Sequence, residues 1–420
     1  MHGDPTHWWL GDALGVGSAG LTLDDVDLAE LAARHGTPLY VYGAATVRRR
    51  FAELRAALAA TGLRSRIHYA MKANRHPGLL ALVRGEGDLA IDACSPREVD
   101  AALACGFTPA EVSVTASMLS RRDLTAFAAQ GVHLNLDSRS ALRRWSETPG
   151  RLPRVGLRIN PGVAVGWGDD PKLRYGDSKF GFDGDRVGEA VELATGLGLE
   201  VDTLHVHLGW GLQASAAPQI ATLCARLAGW ARQIPTVRVL NVGGGLCWKQ
   251  RAEDRPLPLP TWAALLAEHL GPVCRERDLT IACEPGTFVM AAAGVLLAEV
   301  NTVERRASGT WIGIDAGHNM NVYAAHYGIP LAIIAVARPQ DPPTAPVHVA
   351  GNVNEANDVF ARDLRLPELA EGDLLALWPA GAYGAAMASD HCMRGLPSEL
   401  LIERSPVPGD SRAPLSYGTG

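Results

Sequence analysis

Short apolar runs alternate with longer stretches rich in Ala, Leu and Arg along the first two-thirds of the chain. Thr37–Tyr42 predicts a strand. Ala45–Ala60 places apolar residues at helical spacing and closes on Thr61-Gly62, which predicts a helix and its end. Arg66–Ala70 predicts the next strand, Pro77–Arg84 a helix, Asp88–Ala93 a strand, and Pro96–Cys105 a helix that Ser95 would cap. Glu111–Thr115, Val132–Asn135, Arg154–Ile159, Thr203–Leu208, Val237–Val242 and Thr280–Cys283 continue the strands, with helical segments between most of them. Strand–helix units repeated about eight times over ~250 residues are the pattern of an α/β fold of the (β/α)8 (TIM-like) barrel type. After Pro285 the texture changes. Gly294–Val303, Gly309–Ile314, Ala332–Ala337, Val347–Asn352 and Asp373–Trp378 read as strands with few helices between them. The expected organisation is a barrel over 37–290, a mostly-β domain (sandwich or barrel) from 1–36 and 291–404, and a flexible Pro/Gly/Ser-rich tail over 405–420.

Composition narrows the function classes. A chain of 420 residues with 47% hydrophobic and 20% charged residues can bury a large core. A net charge of −6 points to neither nucleic acid nor a membrane surface. The long apolar stretch Ile281–Val300 contains Glu284 and Glu299, so no membrane span is expected. Met1–Leu10 lacks the basic and apolar regions of a secretion signal. The seven cysteines are scattered without a Cys-x-x-Cys pair, so neither a disulfide framework nor a zinc site is expected and a cytoplasmic setting fits.

Chemistry-bearing residues gather at the predicted strand ends. Tyr69-Ala70-Met71-Lys72 falls where a second barrel strand would finish, and barrel active sites lie at such C-terminal ends. A lysine flanked by apolar residues can shed its proton and form a Schiff base, although a surface lysine fits the position equally. His205 and His207 share one strand face; stacking on an aromatic ring or plain core packing suits them better than metal, since no third ligand lies at partner spacing. Gly243, Gly244 and Gly245 follow a strand and can close backbone N–H groups around a phosphate, or simply turn. Glu284 ends the next strand and can pair with a protonated pyridine nitrogen, or stay solvated. Tyr383 in Gly-Ala-Tyr-Gly can reach a phosphate or pack in the core.

Taken in this order, YAMKAN, IDACS, RINP, SKFG, HVHLG, GGG, EPG and GAYG resemble the fold-type III decarboxylases that depend on pyridoxal 5′-phosphate (PLP), over about Thr37 to Arg394. That family includes diaminopimelate and ornithine/arginine decarboxylases. The resemblance implies that Lys72 carries PLP, that Asp92 and Ser95 line its pocket, and that Arg158 and Ser178–Gly181 flank it. It implies further that His207 stacks on the ring, that Gly243, Gly244, Gly245 and Tyr383 hold the phosphate, and that Glu284 pairs with the ring nitrogen. A homodimer with shared active sites is implied as well.

Departures from the family fall on the substrate side. Thr287 stands where diaminopimelate decarboxylases continue Glu-Pro-Gly with arginine, and Tyr323 replaces a second arginine, while Tyr327 matches the family tyrosine. Cys-Glu-Ser-x-Asp reads Asn354-Glu355-Ala356-Asn357-Asp358, so the family's acid cysteine is an amide that cannot titrate; the resemblance keeps Glu355 and Asp358 at the substrate. Trp210 replaces a serine, and His391-Cys392 a Tyr-Asn pair. His391, Cys392, Tyr327 and His318 stand as candidate acids. Losing two guanidiniums removes two bidentate carboxylate grips. The expectation is therefore a decarboxylase for an amino acid other than meso-diaminopimelate, in specialised metabolism, on a free or carrier-protein-bound substrate. Racemisation or epimerisation, and a non-catalytic PLP-binding role, are the alternatives.

Overall fold

The computed structural model describes residues 7–163, 165–167, 178–207, 209–404 and 415–419. Eight parallel strands close into a barrel: Ser65–Ala70 (β1), Ala90–Ala93 (β2), Val112–Thr115 (β3), His133–Leu136 (β4), Arg154–Asn160 (β5), Glu200–Val206 (β6), Val239–Asn241 (β7) and Thr280–Cys283 (β8). Each pairs in parallel with its neighbours in sequence, and β8 pairs with β1 to complete the ring. Every residue of β2 and β3 is buried, as are the last four of β1. Strands covered on both faces read as continuous apolar runs, which is why periodicity found them. Ser95 caps helix Pro96–Ala104 as expected, its side chain accepting from the Glu98 N–H.

The second unit is a mixed sheet built on the long strand Gly294–Arg306. A register shift between Val300 and Thr302 divides it. Its first half pairs with Leu39–Gly43 and Leu374–Trp378, its second half with Gly309–Ile314. Leu39–Gly43 also pairs in parallel with Ser398–Arg404. The early hairpin strands Leu14–Gly17 and Gly20–Leu23 pack Leu14, Leu21 and Leu23 into one apolar cluster with Val41, Val295, Leu297 and Trp378.

The strand near 37–42 therefore lies in the second sheet, and Lys72 follows the first barrel strand, not the second as the sequence suggested. Periodicity marks a strand but not the sheet it joins. Val359–Arg365 and Ser398–Arg404 went unpredicted. Of the tail, 405–414 and 420 lie outside the described residues, whereas Leu415–Thr419 is a strand paired antiparallel with Ser398–Arg404.

The second sheet also serves the barrel mouth. After Trp378 the chain enters a loop whose Tyr383 N–H donates to Ala73 O at 2.6 Å, and Asn74 Nδ2 donates to Gly381 O at 3.0 Å. The loop is thus fastened to the turn that carries Lys72.

Candidate active site

β1 ends at Ala70, whose N–H donates to Pro285 O at 3.1 Å, and Met71–Ala73 then forms one tight turn. That turn sends Lys72 into a cavity of about 340 Å³ at the C-terminal end of the barrel, lined also by Arg158, His207, Gly244, Gly245, Glu284, Thr287 and Tyr383. Seven of the eight barrel strands, all but β4, and the second-sheet loop contribute here, the arrangement that barrels use for catalysis.

Charge in the cavity is organised around two buried carboxylates. Lys72 Nζ lies 3.2 Å from Asp92 Oδ2. Burial pulls the Lys72 ammonium down, but Asp92, then Cys94, Tyr383 and Glu284 outweigh it, and the group is held well above its ordinary value. The apolar flanks therefore do not strip its proton, contrary to the sequence expectation; the neighbouring anions decide. Asp92 is pushed up to about 7 by burial and by Glu284, against the pull of Lys72. Glu284 is 4% exposed. Its carboxylate meets His205 Nε2 at 3.0 Å, Asn241 Nδ2 at 2.8 Å and Thr115 Oγ1 at 3.3 Å. Burial would raise it, but His205, Lys72 and His68 together hold it well below the usual carboxylate range. Glu284 is therefore not the solvated strand-end glutamate that its sequence position also allowed.

The glycine triplet has the form of a cradle. Gly243 and Gly245 hold φ of 67° and 106°. A Cβ on Gly244 would lie 2.6 Å from Glu284 O and 3.5 Å from the His207 ring. No side chain fits there, so the backbone of Gly244 and Gly245 borders the cavity directly, while the Gly243 N–H donates to Asn241 Oδ1 at 2.9 Å. Burial, Arg158 and Lys72 hold His207 well below its ordinary value, so its ring is neutral; Nδ1 accepts from Gly244 N–H at 3.3 Å. His205 is fully buried and occupied with Glu284.

The other expected residues separate into two groups. Tyr323 touches the cavity wall through its neighbours, with ring centroids 4.8 Å from Tyr383, 5.5 Å from Tyr327 and 6.1 Å from Trp210. Arg158 stacks 4.1 Å from the Phe180 ring centroid. Ser95 is spent on its helix cap. Asn354 and Glu355 are exposed on the second domain, away from this chain's own cavity, and Glu355 meets His391 Nε2 at 3.1 Å. Asp358, expected at the substrate, is buried and accepts from the backbone N–H of His318 and Val353 at 2.7 and 2.8 Å; it shapes a turn.

One cavity residue escaped the sequence reading. Cys94 Sγ lies 3.7 Å from Lys72 Nζ, and burial pushes its thiol up to about 12 against the pull of Lys72. The signal was present: Cys94 is two residues past Asp92 on an extended segment, which puts both on one face.

A lysine, a glycine cradle and a buried carboxylate facing one cavity fit the aldehyde, phosphate and ring nitrogen of PLP. The profile described as "Pyridoxal-dependent decarboxylase, pyridoxal binding domain" matches residues 44–291. The chain belongs to this family. It is a PLP-dependent amino-acid decarboxylase. A diaminopimelate decarboxylase of Methanothermobacter thermautotrophicus is 33% identical over 393 residues, covering 92% of this chain and 91% of that enzyme. One from Pseudomonas aeruginosa is 33% identical over 404 residues, covering 93% and 94%. The structure of diaminopimelate decarboxylase from Helicobacter pylori complexed with L-lysine superposes with a TM-score of 0.80 at 27% identity, covering 90% of this chain and 94% of that one.

These relatives overturn the expectation of a substrate other than diaminopimelate. That expectation rested on arginines missing at Thr287 and Tyr323. The decarboxylase cavity nevertheless has cations from elsewhere in the barrel, Arg158 within β5 and Lys179 beyond that strand. A count of two lost guanidiniums missed positive charge that the barrel supplies elsewhere. Among the described residues, no helix is long and apolar enough to cross a membrane.

Proposed function

We propose that the chain removes one carboxylate of meso-diaminopimelate as CO2 and releases L-lysine. The observation that carries this reading is the convergence of Lys72, the glycine cradle and Glu284 on one cavity, in a chain about one-third identical to diaminopimelate decarboxylases over nine-tenths of its length. Meso-diaminopimelate has one L and one D centre, so an L-lysine product means that CO2 leaves from the D end.

In this reading Lys72 attaches the cofactor and the backbone of Gly244 and Gly245 holds its phosphate, with Gly243 shaping the turn and Tyr383 beside them. Bound PLP supplies an electron sink for the pair left behind when the C–C bond breaks. Glu284, kept ionised chiefly by His205 and held in place by Asn241, would hold a proton on the ring nitrogen. Neutral His207 offers a flat face to the ring, since it carries no charge to repel a pyridinium. Arg158 and Lys179 draw substrate carboxylates into the cavity, and Thr287, Tyr323 and Tyr327 shape its wall.

Asn354 and Glu355 reach a substrate only from a second copy, so we infer a homodimer; Met393 and Leu396, 90% and 65% exposed, suit a covered surface. Sedimentation velocity should return twice the chain mass of 44.5 kDa, and a monomer at micromolar concentration would refute it. A free amino acid in the cytoplasm suits a cavity of about 340 Å³ better than a carrier-bound one.

Turnover of meso-diaminopimelate by the PLP-loaded protein in D2O tests the substrate. The expected products are one CO2 and lysine carrying one deuterium at the carbon that lost it. Intact diaminopimelate after prolonged incubation would end this reading.

A further inference from the structure

The family acid is an amide here, at Asn354, and the group that returns a proton to the substrate has to be sought among cavity side chains. The requirement is geometric. With PLP bound, Lys72 Nζ would mark the place of its aldehyde carbon, and a substrate held there by its amine would have its α-carbon close by. A donor must therefore lie within a few ångström of where Lys72 Nζ ends. It must also hold a proton at neutral pH, and it must be able to recover one.

Cys94 meets these conditions. Its Sγ is 3.7 Å from Lys72 Nζ, and the residue lines the cavity. It is fixed from both sides: its backbone N–H donates to Glu98 Oε2 at 2.6 Å, and Ser95 beside it starts the helix Pro96–Ala104. The third member of the cluster is Asp92, fully buried, with Oδ2 on Lys72 at 3.2 Å and Oδ1 lacking any hydrogen-bond partner. A fully buried carboxylate oxygen left bare beside a lysine and a thiol marks a place where a proton is exchanged and not merely a packed core. The alternatives are weaker. His391 and Glu355 are half exposed and bonded to each other, and in the dimer they would enter only from the partner, with no fixed place beside Lys72; His391→Ala should therefore keep kcat within about 3-fold, and a loss matching that of Cys94→Ala would overturn the choice of Cys94. His318 is engaged with Asp358, at 3.2 Å.

We propose that Cys94 is the acid that protonates the α-carbon, with Lys72 and Asp92 restoring its proton. The assignment rests on the decarboxylase reading above. The C–C bond to the carboxylate breaks and CO2 departs. The electron pair left on the α-carbon takes the Sγ proton, forming a C–H bond and a thiolate. The thiolate takes a proton from the Lys72 ammonium, which leaves that lysine as the neutral amine able to reclaim the cofactor. One proton is consumed per turnover; water entering as the product leaves returns it to Asp92, which passes it to Lys72. No external oxidant or reductant enters.

The tests use the PLP-loaded full chain and two variants, Cys94→Ala and Cys94→Ser, the second keeping the side chain's size. Lysine formation from meso-diaminopimelate should fall about 10²-fold in kcat in both variants, with KM within about 3-fold. The fate of misdirected protons supplies a second signature. A larger share of turnovers should end with the proton on the cofactor, leaving its amino form and, after attack by water, a carbonyl compound in place of lysine. In mixed H2O/D2O, wild-type lysine should be enriched in protium at the new C–H bond, because soft S–H bonds exclude deuterium, and the variants should lose that enrichment. A third readout needs no turnover. Iodoacetamide, which attacks thiolates, should label exposed Cys392 quickly at neutral pH and Cys94 slowly, because an acid has to keep its proton. Variants with wild-type kcat and product partition, or Cys94 labelled as fast as Cys392, would overturn the assignment. Absence of lysine from the wild-type reaction would instead remove the substrate reading and this one with it.

Discussion

Replacing Lys72 by alanine is expected to lower turnover by on the order of 10³-fold or more, the scale seen when a covalent catalytic group is deleted. The loss should come with a change in how the cofactor is held. Lys72 ends in the cavity, 3.2 Å from Asp92, in the same lining as Gly244 and Gly245. PLP then has its phosphate site but no amine to bond. Borohydride reduction of the wild type should fix the cofactor to the peptide containing Lys72, and reduction of the variant should fix none. Stable attachment to another peptide in the wild type would show that Lys72 is not the anchor. The variant should also remove a cation from beside a fully buried carboxylate, and Asp92, already pushed up to about 7 with the lysine present, would hold its proton more firmly still.

The second large effect is expected at Glu284. Glu284→Gln should leave PLP bonded to Lys72 while lowering kcat about 10² to 10³-fold, the range for removing one preorganised electrostatic partner from a dry site. The neutral amide cannot keep a proton on the ring nitrogen. It also cannot accept at both ends: one oxygen becomes an NH2 facing either Asn241 Nδ2 or His205 Nε2, both donors to the present carboxylate. The variant carries a stability cost too. His205 is fully buried and loses its anion, and breaking a buried pair on one side costs about 3–5 kcal/mol. The sign of the pH dependence follows from the direction of the shift. Glu284 in the fold lies below the ordinary glutamate value of 4.5, so its contribution is present above that pH and is lost as the pH falls towards the folded value. Wild type and variant should therefore differ in melting temperature at pH 7 and converge in acid. Equal kcat, or a stability gap that widens in acid, would contradict this account.

Much of the fold was legible because of how barrels bury their strands. β2 and β3 are covered throughout, so they appear as apolar runs whatever their neighbours. Val359–Arg365 has no buried residue, and nothing in its hydrophobic pattern separates it from a loop. The chemistry at strand ends was legible for a related reason: Lys72, His207, the glycines and Glu284 interrupt apolar runs where a barrel places its active site. Cys94 was not, since a cysteine on a buried strand looks like a small hydrophobe until a lysine is seen beside it. The substrate was misread because recognition of a carboxylate depends on the summed charge of a cavity. Arg158 and Lys179 lie in segments that the sequence already placed beside the site, but their charge was not set against the losses at Thr287 and Tyr323.

The parallel pairing of Leu39–Gly43 with Ser398–Arg404 joins segments some 360 residues apart, with the whole barrel strung between them. Such a long loop is slow to close. On the ribosome, Leu39–Gly43 emerges early and its partner nearly last, so the barrel is complete in the nascent chain while one edge of the neighbouring sheet still waits. Until release, that edge presents bare N–H and C=O groups to other chains. A message cut short before codon 398 would thus yield a polypeptide with every cavity-lining residue in hand and a sticky seam along its second domain, a product suited to aggregation and to capture by chaperones.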